Sequence, residues 1–156
     1  MAEASRKAIR QKLRNLLFVQ AAAENLPPEL TGQADRITVN YPWGSLLKAL
    51  ARPDLERLRN LAGLGRDGAA LTALVNMSVF DDRAYCERLD LPCPPVLADR
   101  VETRRRYRDA GLEVTAIDPA VSEPPHRTTW GRKLVKSGRR RILRLDALVR
   151  GAKPPG

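Results

Sequence analysis

The chain of 156 residues has the length of one domain, and its 43% hydrophobic content is enough for a buried core of ordinary size. The first residues do not resemble a signal peptide, and no apolar stretch approaches the length of a membrane span, so we expect a cytoplasmic protein. Two cysteines, Cys86 and Cys93, and the single histidine, His126, are too few for a zinc site or a disulfide framework. We therefore interpret both cysteines as unpaired thiols and His126 as a loop residue.

The charge is strongly positive, with 28 lysines and arginines against 18 acids and a net charge of +10. Such an excess indicates a polyanionic partner, either nucleic acid or an anionic membrane surface. Residues 127–144 concentrate the charge without any acid, and Arg104, Arg105 and Arg106 form a smaller cluster. A basic membrane helix needs a bulky apolar stripe along this run, which the sequence does not provide. Contact with nucleic-acid phosphates is therefore favoured.

The first quarter of the chain predicts a helix followed by two strands. Residues 2–13 have a helix-forming composition, and residues 15–20 (NLLFVQ) form the short apolar run that is typical of a buried parallel strand. A polar, proline-containing stretch at 24–33 separates this run from residues 35–40. The latter alternate like a strand and end at the turn Pro42-Trp43-Gly44.

The middle of the chain predicts two helices and a central strand. Residues 46–50 and 53–64 are helical in pattern, and the second helix has proline early and glycine at its end. Residues 65–68 predict a turn. Residues 69–78 then alternate as a strand that we expect in the middle of the sheet.

The last part of the chain predicts a closing pair of strands. We expect, in order, a weak helix at 81–91, an amphipathic helix at 99–110 capped by Gly111, a strand at 112–117, a short helix at 129–136 and a strand at 140–149. Strands that alternate with helices and end in a strand pair predict an α/β fold, a mostly parallel sheet with an antiparallel edge strand.

Ligands of open α/β sheets bind at the carboxyl ends of the strands, which directs attention to the residues after Gln20, Asn40 and Met77. Small alanines at 21–23 follow the first strand end and would let a flat ring approach the backbone, with the Glu24 carboxylate close by. Trp43 follows the second strand end, on a turn where a packing tryptophan is rarely placed. The alternative that Trp43 caps the core stays open at this point.

Three segments carry a family resemblance. Residues 15–27 (NLLFVQAAAENLP), 42–47 (PWGSLL) and 130–134 (WGRKL) are similar, in order and spacing, to the aminoglycoside-resistance methyltransferases that modify N1 of adenine 1408 in 16S rRNA. The resemblance covers most of the chain and is weak between residues 78 and 96. It implies a class I, Rossmann-like methyltransferase that uses S-adenosylmethionine and acts on 16S rRNA in the small ribosomal subunit.

The resemblance also assigns roles to individual residues. It implies that Trp43 and Trp130 hold the flipped target adenine, as the catalytic pair. The cofactor contacts that it implies are Ala22, Ala23, Glu24, Ser45 and Thr128. The RNA contacts are assigned to Arg132, Lys133, Lys136, Arg139, Arg140 and Arg141. Spacing from Trp130 to the three arginines is one residue longer than in the family, so the resemblance does not divide the roles among them.

The implied chemistry needs few polar groups. Adenine N1 is unprotonated at neutral pH and can act as the nucleophile without a strong general base. Catalysis then consists mainly of holding N1 in line with the methyl donor. An extruded base clamped between aromatic faces is held in this way, and the rings can stabilise the cationic product.

The glycine-rich part of such a site is not found in this sequence. A class I methyltransferase begins with a strand, a Gly-x-Gly turn and a helix, whereas Gly63, Gly65 and Gly68 follow a helix. We therefore expect residues 1–156 to be one domain that corresponds to the C-terminal two-thirds of a class I methyltransferase domain. The resemblance places two further strands between residues 15–20 and 35–40 in the sheet, so their absence would leave a gap at its centre.

Three hypotheses follow from the sequence. The first is an rRNA methyltransferase that is active when full length, and we expect the full-length protein to be a monomer. This chain would then be an N-terminally truncated reading of the gene or an inactive remnant. The second is a noncatalytic basic RNA-binding remnant of such an enzyme. A basic structural protein in which Trp43 and Trp130 both belong to the core is the third, and it predicts that Trp43→Ala unfolds the chain.

Overall fold

The computed structural model describes residues 6, 9–12, 15–119 and 141–151 of the chain. Its strands are β1 (Ala34–Asn40), β2 (Gly65–Asn76), β3 (Leu112–Asp118) and β4 (Ile142–Val149). Its helices are α1 (Gly44–Ala51), α2 (Leu55–Gly63), α3 (Arg83–Arg88) and α4 (Arg100–Asp109). Short 3-10 turns cover Pro28–Leu30, Met77–Asp81 and Val96–Ala98.

These strands form one mixed sheet in the order β1-β2-β4-β3. β1 and β2 run parallel, with Ile37 opposite Leu71 and Val39 opposite Ala73, whereas β4 is antiparallel to both of its neighbours. The predicted α/β class and the central position of β2 are confirmed. The prediction that the antiparallel strand lies at the edge is wrong, because β4 lies between β2 and β3, and β3 forms the edge of the described sheet.

The core lies mainly on one face of the sheet. Alternate residues of each strand point to that face, as the pleat requires, and pack against the apolar sides of α1, α2 and α4. The buried side chains of this layer include Ile37, Val39, Leu47, Leu50, Leu58, Leu71, Leu97, Tyr107, Leu112, Val114, Leu145 and Val149. In the described part of the chain, a small second cluster of Tyr41, Leu74 and Ile142 is buried apart from this layer.

Aspartates fix where three of the helices begin. The side chains of Asp54, Asp82 and Asp99 accept hydrogen bonds from backbone N–H groups in the first turns of α2, α3 and α4. The helices predicted at 53–64, 81–91 and 99–110 are thus confirmed with shorter bounds. Gly111 adopts the left-handed conformation (φ 81°) after α4, as a glycine at a helix end does.

The strand predicted at 15–20 is wrong. The structure has no strand there, and Leu16, Leu17 and Val19 are exposed, Leu17 at 77%. A buried parallel strand needs neighbours for its backbone groups on both sides. Among the described residues, β1 has a strand partner on one side only, and the two strands that the resemblance places between residues 15–20 and β1 are not among the described strands.

The turn predicted at 65–68 is also wrong as a separate element. β2 begins at Gly65, which pairs with Ala34, and the register shifts before Arg36 pairs with Ala70. The extra residues bulge from β2, and Gly68 supplies the positive φ of 79° that the bulge needs. β2 also ends at Asn76, earlier than expected, because the chain then enters a 3-10 turn.

Two predicted elements lie mainly or wholly outside the described residues, namely the helix at 2–13 and the short helix at 129–136. His126 lies outside them as well. Within the described ranges, no helix combines the length and apolar character needed to cross a bilayer.

Tyr107 joins two helices across the core. Its ring is fully buried, and its hydroxyl donates to the carbonyl oxygen of Leu50, in the last turn of α1, at 3.3 Å. The helix ends at Ala51, so no later N–H group of the helix donates to this carbonyl oxygen. The Tyr107 hydroxyl takes the place of that donor. Burial raises the pKa of the Tyr107 hydroxyl, which keeps it a neutral donor.

We expect Tyr107→Phe to lower the free energy of unfolding by about 1 kcal/mol, because it removes one hydrogen bond without leaving a cavity. Tyr107→Ala should cost about 3–5 kcal/mol, since it also leaves a large cavity. Urea unfolding followed by circular dichroism measures both changes. Equal losses in the two variants would contradict this account of the contact.

Candidate functional site

Trp43 lies at the carboxyl end of β1, where the backbone makes an unusual turn into α1. Tyr41 and Gly44 both adopt positive φ angles, 51° and 57°, and Trp43 itself is the extended residue directly before the helix. The turn directs the indole outward, so that Trp43 is 58% exposed. The alternative that Trp43 caps the core is wrong.

An aromatic neighbour orients the Trp43 indole. The ring of Tyr85 on α3 lies 5.8 Å from it, centroid to centroid, with an interplanar angle of 87°. The Arg88 guanidinium lies 5.3 Å from the centroid of the Tyr85 ring. Edge-to-face contact is a favoured geometry for aromatic pairs, and it leaves most of the indole uncovered.

The cleft beside Trp43 has a volume of about 270 Å³ and collects residues from two strand ends. Its lining residues are Trp43, Asn76, Ser78, Val79, Asp82 and Tyr85. Part of the polar lining is already committed to local structure, since the Asn76 side chain accepts from Ser78 N at 3.2 Å and Asp82 accepts from Tyr85 N at 2.9 Å. The cleft is therefore lined by two aromatic rings, Trp43 and Tyr85, and by polar side chains whose positions are fixed by local hydrogen bonds.

Glu24 belongs to a second part of the site, fastened to α2. Nε of Arg57 donates to Oε1 of Glu24 at 2.8 Å, and the Arg57 guanidinium also pairs with Asp54. The hydrogen bond from Arg57, and after it one from Ser45, lowers the pKa of Glu24 to about 2. This carboxylate is thus held as an anion and is unsuited to act as a general base near neutral pH.

The small residues before Glu24 form a tight turn. Asn25 N donates to the Ala22 oxygen at 3.0 Å, and Asn60 Nδ2 on α2 lies 3.4 Å from both the Ala23 and the Glu24 carbonyl oxygens. Ala22 is exposed and Ala23 is half-buried. The structure thus brings three of the predicted cofactor residues, Ala22, Ala23 and Glu24, next to Ser45 at the start of α1.

All but one of the remaining predicted site residues lie outside the described part of the chain. These are Thr128, Trp130, Arg132, Lys133, Lys136, Arg139 and Arg140. Arg141 is described and lies at the site: its carbonyl accepts from Met77 N, its backbone N–H donates to Ser78 Oγ, and its guanidinium pairs with Asp81. The end of the basic run is thus fastened beside the Trp43 cleft.

Sequence reasoning missed Arg57, Asn60 and Tyr85. The aspartate three residues before Arg57 indicates a paired arginine on the first turn of a helix, but nothing local indicates that the same side chain reaches Glu24, 33 positions away. The small cluster at 104–106 was also less available than its charge suggested. Arg105 and Arg106 both bond to Glu102, and Arg104 donates to the Val114 carbonyl.

The mixed sheet and the ligand-facing edge define an α/β domain of the class I methyltransferase type. A family model described as "NpmA: 16S rRNA (adenine(1408)-N(1))-methyltransferase" matches residues 1–149, and the chain belongs to this family.

Similar proteins include two that are named 16S rRNA (adenine(1408)-N(1))-methyltransferase. The protein from Escherichia coli is 27% identical over 88% of this chain and 64% of its own length. The protein from Streptoalloteichus tenebrarius is 34% identical over 87% of this chain and 63% of its own length. The crystal structure of the 16S rRNA methyltransferase KamB is similar with a TM-score of 0.79 and 32% identity, over 97% of this chain and 72% of that one. The chain thus spans less than two thirds of the length of the Escherichia coli and Streptoalloteichus tenebrarius relatives.

The ion pair between Glu24 and Arg57 should make the free energy of unfolding depend on pH. Because the folded-state pKa of about 2 lies below the ordinary 4.5, the stabilising contribution is complete above about pH 4.5 and is lost as the pH falls toward 2. We expect Glu24→Gln to be slightly less stable than the parent chain at pH 6, because the pair is partly exposed, and similar to it near pH 2, as measured by urea unfolding. In an Arg57→Gln background the same substitution should have a smaller effect at pH 6. A difference that does not change with pH would contradict the ion pair.

Proposed function

We propose that the chain forms the target-base side of an S-adenosylmethionine-dependent methyltransferase that acts on N1 of adenine 1408 in 16S rRNA of the small ribosomal subunit. The observation that carries the proposal is the start of α1. Within three residues it presents the exposed indole of Trp43 to one cleft and the Ser45 hydroxyl to the Glu24 segment. A base stacked on Trp43 would then lie beside the residues proposed to bind the cofactor.

The chain's own residues would position the base rather than transfer protons. Trp43 offers a face for stacking, and Tyr85 fixes the angle of that face. Adenine N1 is already unprotonated, so the reaction needs no general base, and the anionic Glu24 does not have to act as one. We assign the second stacking face to Trp130. Arg132, Lys133, Lys136, Arg139, Arg140 and Arg141 are proposed to contact rRNA phosphates.

The residues present fit one side of the proposed cofactor. The backbone at Ala22 and Ala23 carries only methyl side chains, so a flat adenosine could approach it closely. Asn60 holds the Ala23 carbonyl, and the carboxylate of the following Glu24 accepts from Ser45. Thr128 is the proposed contact from the later segment. When bound, S-adenosylmethionine supplies a methyl group on a sulfonium sulfur, and Ser45 and the Ala22–Ala23 backbone would orient it toward the Trp43 cleft.

We further propose that residues 1–156 act as the C-terminal two-thirds of the methyltransferase domain, as a cytoplasmic protein that is monomeric when full length. The unpaired side of β1 and the exposed Leu16, Leu17 and Val19 support the domain assignment, because further strands could pair with the one and cover the others. So does the extent of the match, 63–64% of the two relatives' lengths.

Calorimetry on the folded chain tests the cofactor side. If the glycine-rich strand and turn must be supplied from outside residues 1–156, the chain alone should show no detectable heat with S-adenosylmethionine. A form extended by the in-frame upstream sequence, which we expect to encode a strand followed by Gly-x-Gly, should bind it. An upstream sequence without that motif would contradict the domain assignment, and an extended form that does not bind would favour a noncatalytic RNA-binding remnant.

Trp43→Ala should fold but methylate poorly. The exposed indole contributes little to the core, whereas stacking is worth about 1–3 kcal/mol per base, so we expect a roughly 5- to 150-fold loss of kcat/KM on 30S subunits with the extended form. Trp43→Phe is the matched control and should lose less, since it keeps a ring.

Primer extension on 16S rRNA reads out both the activity and the modified position. A stop one nucleotide before adenine 1408, together with aminoglycoside resistance of the expressing cells, would support the proposal. An unmodified adenine would count against it, and unfolding of Trp43→Ala would count against the exposed role of the ring.

A further inference from the structure

The side chain of Arg57 connects the start of α2 to Glu24, which lies 33 positions earlier in the chain. Its Nε donates to Oε1 of Glu24 at 2.8 Å, its guanidinium also pairs with Asp54, and its own backbone N–H donates to the Asp54 carboxylate at 3.1 Å. Both carboxylates therefore converge on one guanidinium. Its planar fork can satisfy two carboxylates at once, which a lysine ammonium does less well.

This contact holds a segment that has little other support. The residues before it, 15–20, are not in a strand and are largely exposed, and the turn closed by Asn25 N and the Ala22 oxygen is short. Besides that turn, the described attachments of Ala23 and Glu24 come from Arg57 and Asn60 on α2 and from Ser45 on α1. The Arg57 bond is the shortest of the bonds from α2 and the only one between charged groups among them.

We propose that Arg57 is a positioning residue for methyl transfer, which holds the Ala22–Ala23 backbone in place for the cofactor by anchoring Glu24 to α2. The inference rests on the proposed function. It changes the role of Glu24, which the resemblance assigns as a cofactor contact, because Oε1 of its carboxylate already accepts a hydrogen bond from Arg57. Glu24 then acts largely through the position of its own backbone, and Arg57 acts through Glu24.

The partial exposure of the pair suits a positioning role. The side chains of Arg57 and Glu24 are 34% and 35% exposed, and an ion pair of that kind adds little to global stability. Its loss should therefore release the segment locally while the sheet stays folded. Charge-assisted bonds of this type can still order a loop, because the loop would otherwise sample many conformations.

Amide hydrogen exchange on the chain itself tests the anchoring without any cofactor. We expect Arg57→Gln to accelerate exchange at Asn25, whose N–H closes the turn, by roughly tenfold, while exchange at Leu71 in β2 stays unchanged. Arg57→Lys should restore part of the protection. Asp54→Asn, which keeps an acceptable helix cap and removes one charge, should have an intermediate effect.

Arg66→Gln is the matched control. Arg66 also pairs with an aspartate, Asp35, but it does so at the opposite end of β1 and β2, so Asn25 exchange should not change. Unchanged Asn25 exchange in Arg57→Gln would overturn the proposal. Equal acceleration at Asn25 and Leu71 would do so as well, because it would show only a loss of global stability.

The functional arm uses the extended form that binds S-adenosylmethionine. Arg57→Gln should raise the Kd and KM for the cofactor on the order of tenfold and change kcat less, because the chemistry at the target base is untouched. A freed segment with unchanged cofactor affinity would overturn the positioning role. If the unsubstituted extended form binds no S-adenosylmethionine, the proposed function fails, whereas the anchoring of Glu24 by Arg57 is decided separately by Asn25 exchange in the chain itself.

Discussion

The parallel pairing of β1 with β2 is the constraint on which the site depends. It sets Asn40 beside Leu74 in register, so that both strands end at the same edge of the sheet and their following turns meet. Trp43 comes from the turn after β1, whereas Ser78 and Tyr85 come from the chain after β2. A slip of β1 by one residue would turn its buried side chains to the other face of the sheet and would move Trp43 away from these groups.

Two short helices then divide the edge into two chemically different halves. α1 begins with Trp43 and Ser45, which face the aromatic cleft and the Glu24 segment respectively. α2 supplies the charged attachment, because Asp54 begins the helix and orients Arg57 toward Glu24. The aromatic half is exposed, as the proposed stacking of a target base on Trp43 requires, and the charged half has fixed bonds that hold its backbone in place.

The open side of β1 shows why a strong sequence pattern gave a wrong element. Residues 15–20 have the apolar composition of a buried strand, yet a strand is stabilised by its neighbours and not by its own composition. The side of β1 that faces away from β2 is unpaired in the described sheet, but residues 15–20 do not pair with it, and Leu17 is exposed. The helices at Leu55–Gly63 and Arg100–Asp109 were predictable for the opposite reason, since their caps and apolar sides are encoded locally.

The sequence by itself determined the α/β class, most element boundaries and the family, because alternation, caps and the Pro-Trp-Gly segment are local signals. It also indicated Trp43, Glu24 and Ser45 as site residues through the family resemblance. Only the tertiary structure decided that Trp43 is exposed, that Tyr85 orients it, and that Arg57 binds Glu24 from 33 positions away. Such contacts depend on how the helices and strands pack together. The local sequence around two residues that are far apart in the chain does not indicate whether they are close in space.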